Sequence, residues 1–386
     1  MGKITRIFIL YLHITCKIIA QAPGDSSVVI QFVFTSDAHY GITRSSFRGT
    51  ANADAHTVNA AMLDKINSIS SVLLPLDSGV NSGNLAGAVD FLVEGGDIAN
   101  RMEIPIQNAT VSWEQFQTDY LKGLKLIDHS GGAAKIFIIP GNHDISNAVG
   151  FYRAMSPAQD AASMVNVYNL MMQPATPKTN TSYRYPLDKI NYSRNIAGIH
   201  FMFVNLWPDS LERIWMEMDL QNISSEVPII VFAHDQPECE AKHFSNPNPP
   251  HDINAIDKFE NLLAEYYKDA SDISTDKQNT TIEQKGWVRF LKKHPNIKAY
   301  FHGNSNYNEF YVYTGTDNDV ALNTFRVDSP MKGKFSSKDE KKLSFQLVSI
   351  NAVTGKMTAR ECLWNPDPDH PEKSVKWGIS KTVLLK

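Results

Sequence analysis

Short apolar runs alternate with longer amphipathic stretches in the first part of the chain. The runs at 28–34, 91–93 and 136–139 end in turn residues or carboxylates, which is typical of strands buried on both faces of a sheet. Between them, apolar residues recur at helical spacing over about 56–74 and 112–127. This strand, helix, strand succession predicts parallel pairing of the strands.

The same alternation continues through the middle of the chain. Residues 147–195 have no firm period, and we interpret them as an excursion of short helices and loops that walls a substrate pocket. Further buried strands are predicted at 199–206, 227–233 and 297–301, and further helices at about 253–267 and 282–294.

The last part of the chain follows a β pattern. Apolar and polar residues alternate over 343–350 and 356–364 around a Thr354-Gly355 turn, which predicts a hairpin. We therefore expect one catalytic domain over 23–312, with the strands of 313–386 completing that same domain.

Composition and charge restrict the class of protein. With 42% hydrophobic residues the chain has ample material for a core, so disorder does not describe it as a whole. The net charge of −4 gives no electrostatic footprint for nucleic acid. A small anionic substrate would have to be held by local cations or metals.

The N-terminus has features of a secretory signal. Lys3 and Arg6 precede an apolar run at 7–16 that is too short to span a bilayer, and residues 20–22 (Ala-Gln-Ala) have the small-x-small form of a cleavage site. Lys17, which lies between the run and this site, argues against cleavage, and a terminal helix is the alternative. We predict a cleaved signal over the first 22 residues and a secreted or periplasmic protein.

Polar side chains follow five of the predicted strands. Asp37 and His39 alternate by two after the first strand, so we expect both to project from the same side of an extended segment. Because the carboxyl ends of such strands meet at one edge of an open sheet, the five sets are expected to lie close together. The sets are Asp37 and His39; Asp97; Asn142, His143 and Asp144; His234; and Asn304 and Asn306.

Oxygen and imidazole donors of this kind suit Zn, Mn or Fe, and the lack of thiolates argues against a closed structural zinc site. The order of the sets resembles the calcineurin-like metallophosphoesterase superfamily, whose pattern is D-x-H, G-D, G-N-H-D/E, a lone H and G-H-x-H. Four of the five blocks match, over about residues 28–308. The resemblance implies an α/β fold, a four-layer α/β/β/α sandwich of two mixed sheets, with two divalent metal ions at the carboxyl ends of the central strands.

The resemblance also implies a set of metal ligands. Asp37 and His39 would hold one ion, and Asp97 would bridge to a second ion held by Asn142 and His234. Two such ions lower the pKa of a bridging water and neutralise phosphoryl oxygens, so that a metal-bridging hydroxide attacks phosphorus.

Further residues take roles in catalysis by the same resemblance. His143 would protonate the leaving oxygen as a general acid. Arg101 stands four residues after Asp97, where the protein phosphatase branch places an arginine that clamps phosphate. That branch has an acid where this chain has Asn100, so the carboxylate partner of His143 is expected from elsewhere, and Asp144 is the candidate.

The fifth block departs from the family pattern. Residues 303–306 read Gly-Asn-Ser-Asn, so the amides of Asn304 and Asn306 replace two expected imidazoles. An amide oxygen donates more weakly than imidazole to zinc-like ions and favours harder cations. This puts tight binding in doubt at both metals.

Nearby histidines are candidates for compensation. Along an extended segment, positions 302, 304 and 306 face the same way, so His302 is a candidate substitute ligand. His243 and His251 are others. Three alternatives stay open: compensated or Mn-like metal binding, a weakened single-metal enzyme, and a metal-poor binding protein.

The predicted function is a metal-dependent phosphoesterase that hydrolyses a phosphomonoester or phosphodiester of a small phosphorylated substrate. The alternative is a non-catalytic member of the same fold that acts as a binding protein. Residues 332–342, dense in Lys and Ser, are interpreted as a solvated loop.

Overall fold

The computed structural model describes residues 29–100, 107–145, 161–184, 187–239 and 281–386, with 281–283 described as backbone only. Among these residues, fourteen strands form two six-stranded sheets and a small hairpin. The strands are β1 (Val29–Thr35), β2 (Thr43–Phe47), β3 (Thr50–Asp54), β4 (Phe91–Glu94), β5 (Lys135–Ile138), β6 (Tyr192–Ile196), β7 (Ile199–Phe203), β8 (Ile229–Phe232), β9 (Ile297–His302), β10 (Glu309–Tyr313), β11 (Leu322–Arg326), β12 (Ser344–Asn351), β13 (Lys356–Leu363) and β14 (Lys376–Leu384).

Six α-helices lie between these strands in the described part of the chain. Asp54, Asn108 and Asp209 cap three of them by accepting backbone N–H groups of the first turn. The helices are α1 (Ala55–Asn67), α2 (Ala109–Phe116), α3 (Asn142–Ile145), α4 (Ala162–Met172), α5 (Ser210–Leu220) and α6 (Thr281–Lys293).

The first sheet has the strand order β14-β13-β12-β1-β4-β5. β1, β4 and β5 are parallel, with Thr35 paired to Glu94 and Glu94 paired to Ile138. The predicted parallel pairing is therefore confirmed, and the carboxyl ends of these three strands emerge side by side. The predicted hairpin over 343–364 is also confirmed as β12 and β13, and β12 pairs antiparallel with β1.

The second sheet has the order β10-β11-β9-β8-β7-β6. Its central strands β7, β8, β9 and β11 are parallel, and Phe301 of β9 pairs with both Phe232 and Phe325. The ends of β8, β9 and β11 therefore open at a common edge, as the ends of β1, β4 and β5 do in the first sheet.

Aromatic side chains pack the two sheets face to face. The ring of Phe32 in β1 lies 5.7 Å from that of Phe232 and 5.5 Å from that of Phe301, measured between centroids. The next residue back in β9, Tyr300, turns to the opposite face and packs on Trp287 of α6. The alternation buries both faces of the strand, and the fold is the predicted α/β sandwich of mixed sheets.

Several elements were not predicted. The hairpin β2–β3, the strands β10 and β14, and helix α5 have mixed polar and apolar residues because each has exposed or half-exposed positions. The strand β11 is almost wholly buried but contains the polar residues Asn323, Thr324 and Arg326. The helix predicted over 56–74 ends at Asn67, and the one over 112–127 starts earlier and continues as a π-helix at Gln117–Lys122.

Other predictions lie partly or wholly outside the described residues. The signal over residues 1–22 and the helix over 253–267 do so entirely, and both stay predictions. Of the excursion over 147–195, the structure describes 161–184 and 187–195, which contain α4 and β6. Cys239 and Cys362 are both buried and are not joined by a disulfide. Among the described residues, no helix is long and apolar enough to cross a membrane.

Candidate metal centre

Backbone hydrogen bonds tie the strand ends into one cluster. After β1, the N–H of Asp37 donates to the carbonyl of Gly96 at 2.8 Å and that of His39 to the carbonyl of Asp97 at 2.9 Å. After β9, the N–H of Gly303 donates to the carbonyl of His234 at 3.1 Å. Within each sheet, backbone hydrogen bonds alone thus hold the loops that follow neighbouring strands close to one another.

Asp37 and His39 are close, but not for the reason expected. β1 ends at Thr35, and both residues have left-handed backbone conformations, with φ of 60° and 46°. The expected extended alternation is therefore wrong. The bonds to Gly96 and Asp97 impose the turn, and the His39 Nε2 atom still lies 3.5 Å from Asp37 Oδ1. Left-handed non-glycine residues of this kind store strain and cluster at functional sites.

Asp97 is the centre of the cluster. Its Oδ2 lies 3.8 Å from His39 Nε2 and 3.9 Å from His143 Nε2, while its Oδ1 lies 3.4 Å from His234 Nε2. Burial alone would raise the pKa of the Asp97 carboxyl, but the imidazoles of His234, His143 and His39 hold it well below its usual range. Asp97 is therefore ionised and faces three imidazoles.

His234 brings the second sheet to this carboxylate. Its Nδ1 lies 2.7 Å from the carbonyl of Gly95, so Nδ1 carries a proton and Nε2 faces Asp97 and, at 3.2 Å, Asn142 Oδ1. Gly96 allows this approach, because it has a φ of 100° and a Cβ there would lie 2.7 Å from His234 Nδ1. Although burial lowers it, Asp97 raises the pKa of His234 well above its usual value.

His143 is oriented by a backbone carbonyl instead of a carboxylate. Its Nδ1 lies 2.7 Å from the Asn100 carbonyl oxygen, which only accepts, so Nδ1 is the donor and Nε2 is left to face the cluster. Burial, and after it the Lys332 ammonium and His39, lower the pKa of His143 well below its usual value against the pull of Asp97.

Asp144 is not the partner of His143. Its carboxylate accepts the N–H groups of Ile98, Ala99 and Gly141 and the Ser163 hydroxyl, at 2.7–3.2 Å. Burial, and after it the Asp97 carboxylate, raise the pKa of Asp144 to about 6. The predicted catalytic role of Asp144 is therefore contradicted by its contacts, because both oxygens hold the β4 and β5 loops together.

Two groups of three side chains could each hold a metal ion. They are His39, Asp97 and His143, and Asp37, Asp97 and His234, and within each group the ligand atoms lie within 4.8 Å of one another. Asp97 belongs to both, as a bridging ligand requires.

Polar atoms around the cluster fit a metal pair. Asp37 Oδ1, both ring nitrogens of His39 and Asn306 Oδ1 are buried without a hydrogen-bond partner among the described residues. Buried polar atoms are normally paired, and an oxygen and nitrogen donor set is what Zn, Mn and Fe bind. The donors present therefore suit divalent cations.

Residues 303–306, the block that departs from the family pattern, lie beside Asp37. Gly303 is required there, since a Cβ would collide with the Asp37 carboxylate and the Ser36 hydroxyl. The Asn304 N–H donates to Asp37 Oδ2 at 3.0 Å, but its side-chain amide donates to Gln236 Oε1 at 3.2 Å. The Asn306 amide donates to the Asn304 carbonyl at 2.7 Å. As ligands, the two asparagines stay predictions.

His302 faces away from the cluster. Its Nδ1 lies 3.0 Å from the Gly303 carbonyl and its Nε2 3.2 Å from the Tyr311 hydroxyl. The extended segment that motivated its recruitment is absent here, because β9 ends at His302 and both Asn304 and Asn306 have positive φ. These contacts do not support His302 as a substitute ligand.

Lys332 was missed by the sequence analysis, which placed it at the start of a solvated loop. Its Nζ lies 3.3 Å from His143 Nε2. The signal that could have found it is β11, which ends at Arg326 and is followed after Val327 by the turn residues Asp328-Ser329-Pro330, as the other strands are followed by polar residues. The remaining predicted site residues, Arg101, His243 and His251, lie outside the described residues.

Fold and site together define a class of protein. A two-sheet α/β sandwich that gathers acids, imidazoles and an amide at the carboxyl ends of its strands has the construction of a dinuclear metal hydrolase. The family model described as calcineurin-like phosphoesterase matches residues 30–328, more than half of the chain. The chain belongs to this family of metal-dependent phosphoesterases, which typically bind a dinuclear metal centre.

Solved structures similar to this chain include three with low sequence identity. A dimetal phosphatase from Danio rerio has 9% identity and a TM-score of 0.47, covering 86% of this chain and 95% of its own. A Vps29 single mutant from Entamoeba histolytica has 9% identity and a TM-score of 0.32, with coverage of 92% and 98%. A phosphopantetheinyl hydrolase from Mycobacterium tuberculosis has 12% identity and a TM-score of 0.33, with coverage of 79% and 91%. Among curated proteins, the comparison finds no match.

Proposed function

We propose that the chain hydrolyses a phosphate ester of a small substrate, with two divalent metal ions held at the cluster around Asp97. The observation that carries the proposal is the sharing of Asp97 between two groups of ligand-type side chains. Family membership supports the same reaction class.

The residues present would divide the two ions between them. Asp37 Oδ1 and His39 Nε2, 3.5 Å apart, would hold one, Asn142 Oδ1 and His234 Nε2, 3.2 Å apart, would hold the other, and Asp97 would bridge them. This division differs from the two groups above, which place His39 with His143 and Asp37 with His234, because it leaves His143 to act on the leaving oxygen. Bound divalent ions neutralise phosphoryl oxygens and lower the pKa of an attacking water.

His143 serves the leaving oxygen in this proposal. Because Nδ1–H donates to the Asn100 carbonyl, Nε2 is the ring atom at which a further proton is exchanged. The attacking water gives up one proton as its oxygen bonds to phosphorus. The bond from phosphorus to the ester oxygen breaks, and that leaving oxygen takes the proton held at Nε2, which the proton released by the water replaces. Because burial lowers the pKa of His143 well below its usual value, the imidazolium is a minor species near neutral pH, although a strong acid when it forms.

The decisive experiment combines metal analysis with turnover of an aryl phosphate in added Mn. Asp97→Asn removes the bridging charge, so we expect loss of about one ion per chain and a fall in kcat of about 10³-fold or more. Chelation should lower the Tm of the unmodified protein by several °C, because binding to the folded state alone stabilises it, and should lower the Tm of Asp97→Asn by less, because that variant holds one ion fewer.

Asp219→Asn is the matched control. It breaks another Asp–His pair, in which Asp219 Oδ2 lies 2.7 Å from His200 Nε2, and it lies outside both metal-type groups. It should keep metal content and turnover. Turnover that is equal in Asp97→Asn and in the unmodified protein would overturn the mechanism. An unmodified protein that binds little metal and turns over nothing would favour the non-catalytic binding protein.

A further inference from the structure

A short loop after β11 is fastened to the candidate metal centre. The Lys332 loop, residues 327–334, starts where the Val327 N–H donates to the His302 carbonyl at 3.2 Å and ends where the Lys334 N–H donates to the Asn306 carbonyl at 2.6 Å. Its two ends therefore bracket the block that lacks the family's imidazoles. The parallel register of β11 and β9, with Arg326 opposite His302, places it there.

A buried serine fixes the middle of this loop. The Ser329 hydroxyl donates to the Asp37 carbonyl at 2.8 Å and accepts the N–H groups of Met331 and Lys332 at 3.2 and 2.9 Å. Ser329 has no exposed surface. The position of the Lys332 backbone is thereby tied to the backbone of a predicted metal ligand.

The side chain of Lys332 points into the centre instead of into solvent. Its Nζ lies 3.3 Å from His143 Nε2. An ammonium so placed has a fixed position on the side of the cluster where the leaving oxygen is expected.

Building on the proposed function, we propose that Lys332 is a catalytic residue that binds a phosphoryl oxygen of a terminal phosphate next to His143. An ammonium forms charge-assisted hydrogen bonds with phosphate, and donors preorganised around developing charge are a large contribution to catalysis. Lys332 thus supplies positive charge beside residues 303–306, where the side-chain amides of Asn304 and Asn306 are uncharged.

This assignment favours a monoester over a diester. Near neutral pH a phosphomonoester carries between one and two negative charges on three open oxygens, whereas a diester carries one charge on two. An additional cation beside the metals stabilises the more highly charged group more strongly.

Lys334 provides a matched control in the same loop. Its Nζ lies 4.5 Å from the centroid of the Tyr307 ring and 5.4 Å from that of Phe335, and its side chain is exposed. Lys334→Met therefore removes the same charge from the same loop without removing a contact to His143.

The experiment measures turnover and phosphate binding in parallel. For Lys332→Met we expect kcat/KM to fall about 100-fold for an aryl phosphate monoester and about tenfold for the bis-aryl diester. We expect the Kd of inorganic phosphate, measured by calorimetry with Mn present, to rise at least about tenfold. Lys332→Arg should keep phosphate binding within about threefold, and Lys334→Met should keep both quantities within about twofold. Metal content and Tm should match the unmodified protein in each variant.

Phosphate binding separates this assignment from the proposed function. Phosphate that binds equally well to Lys332→Met and to the unmodified protein would overturn the role of Lys332, whatever the turnover. Equal losses on monoester and diester would overturn the preference for a terminal phosphate. An unmodified protein that binds phosphate through Lys332 but hydrolyses neither ester would refute the proposed hydrolysis and leave the assignment of Lys332 standing.

Discussion

The two sheets contribute different chemistry to the same cluster. The first-sheet half, from the ends of β1, β4 and β5, supplies acids, imidazoles and one amide. The second-sheet half, from the ends of β8, β9 and β11, supplies one imidazole, two amides and an ammonium. The first-sheet half consists of Asp37, His39, Asp97, Asn142 and His143, and the second-sheet half of His234, Asn304, Asn306 and Lys332.

This difference shows how one site can divide its tasks. Buried carboxylates attract cations, and three of the four buried atoms at the cluster that have no hydrogen-bond partner among the described residues, those of Asp37 and His39, lie in the first-sheet half, while Asn306 Oδ1 lies in the second. In the second-sheet half the half-buried amides are weak metal donors and the Lys332 ammonium has no lone pair to donate, but both kinds of group can donate hydrogen bonds to an anion. We infer that metal binding depends mainly on the first-sheet half and substrate binding mainly on the second.

Among the variants that test this division of tasks, the largest effect is expected from His143→Ala in the first-sheet half. Loss of a general acid costs most when the leaving group is a poor one, so kcat should fall about 10³-fold with an alkyl phosphate and about tenfold with an aryl phosphate whose phenol is acidic. The measurement is the dependence of kcat on the pKa of the leaving alcohol.

A second histidine controls for the loss of an imidazole. His129→Ala removes a ring that lies 2.8 Å from Asp90 and outside both metal-type groups, and it should leave kcat unchanged for both esters. Equal losses with alkyl and aryl phosphates in His143→Ala would contradict proton donation by His143.

The sequence predicts the first-sheet half better than the second for a physical reason. β1, β4 and β5 are buried on both faces or nearly so, so their apolar runs are continuous and their ends are visible as acids and histidines. β11 is buried except at Asn323, but its polar residues Asn323, Thr324 and Arg326 break the apolar run that marks the other buried strands. Without β11, the position of Lys332 could not be predicted.

The backbone conformation at the site also could not be predicted from the sequence. Asp37, His39 and Asp97 adopt positive φ because tertiary hydrogen bonds between loops impose it. The intrinsic backbone preference of each residue does not depend on which other loops it contacts. The role of Asp144 was misjudged for the same reason, since three of its four donors come from Ile98, Ala99 and Ser163, distant in sequence.

A smaller effect is expected when the second-sheet half is given the family's imidazoles. Asn304→His combined with Asn306→His should raise the affinity for Zn by about tenfold, because imidazole is the stronger donor for this ion. Histidine is among the residues that tolerate the left-handed conformation of both positions. The measurement is a Zn titration against a competing chelator, with aryl phosphate turnover alongside.

The control for that double variant is Asn52→His. Asn52 is exposed on the β2–β3 hairpin and also has positive φ, at 51°, so it tests the same backbone requirement without a metal. It should leave Zn affinity unchanged. If the double variant bound Zn no more tightly than the unmodified protein, Asn304 and Asn306 would not be positioned as ligands at all.

The smallest effect should come from cutting the link between the halves. Ser329→Ala removes a buried hydroxyl that joins the Asp37 carbonyl to the N–H groups of Met331 and Lys332. We expect the free energy of unfolding to fall by about 1–3 kcal/mol and, because Lys332 loses its fixed position, phosphate affinity to fall a few-fold.

Ser349→Ala removes an equally buried hydroxyl, bonded to Gln31 in the first sheet, and should lower stability without changing phosphate affinity. Since Ser329→Thr keeps the hydroxyl, it should restore phosphate affinity; a loss of stability alone in Ser329→Ala would show that the halves act independently.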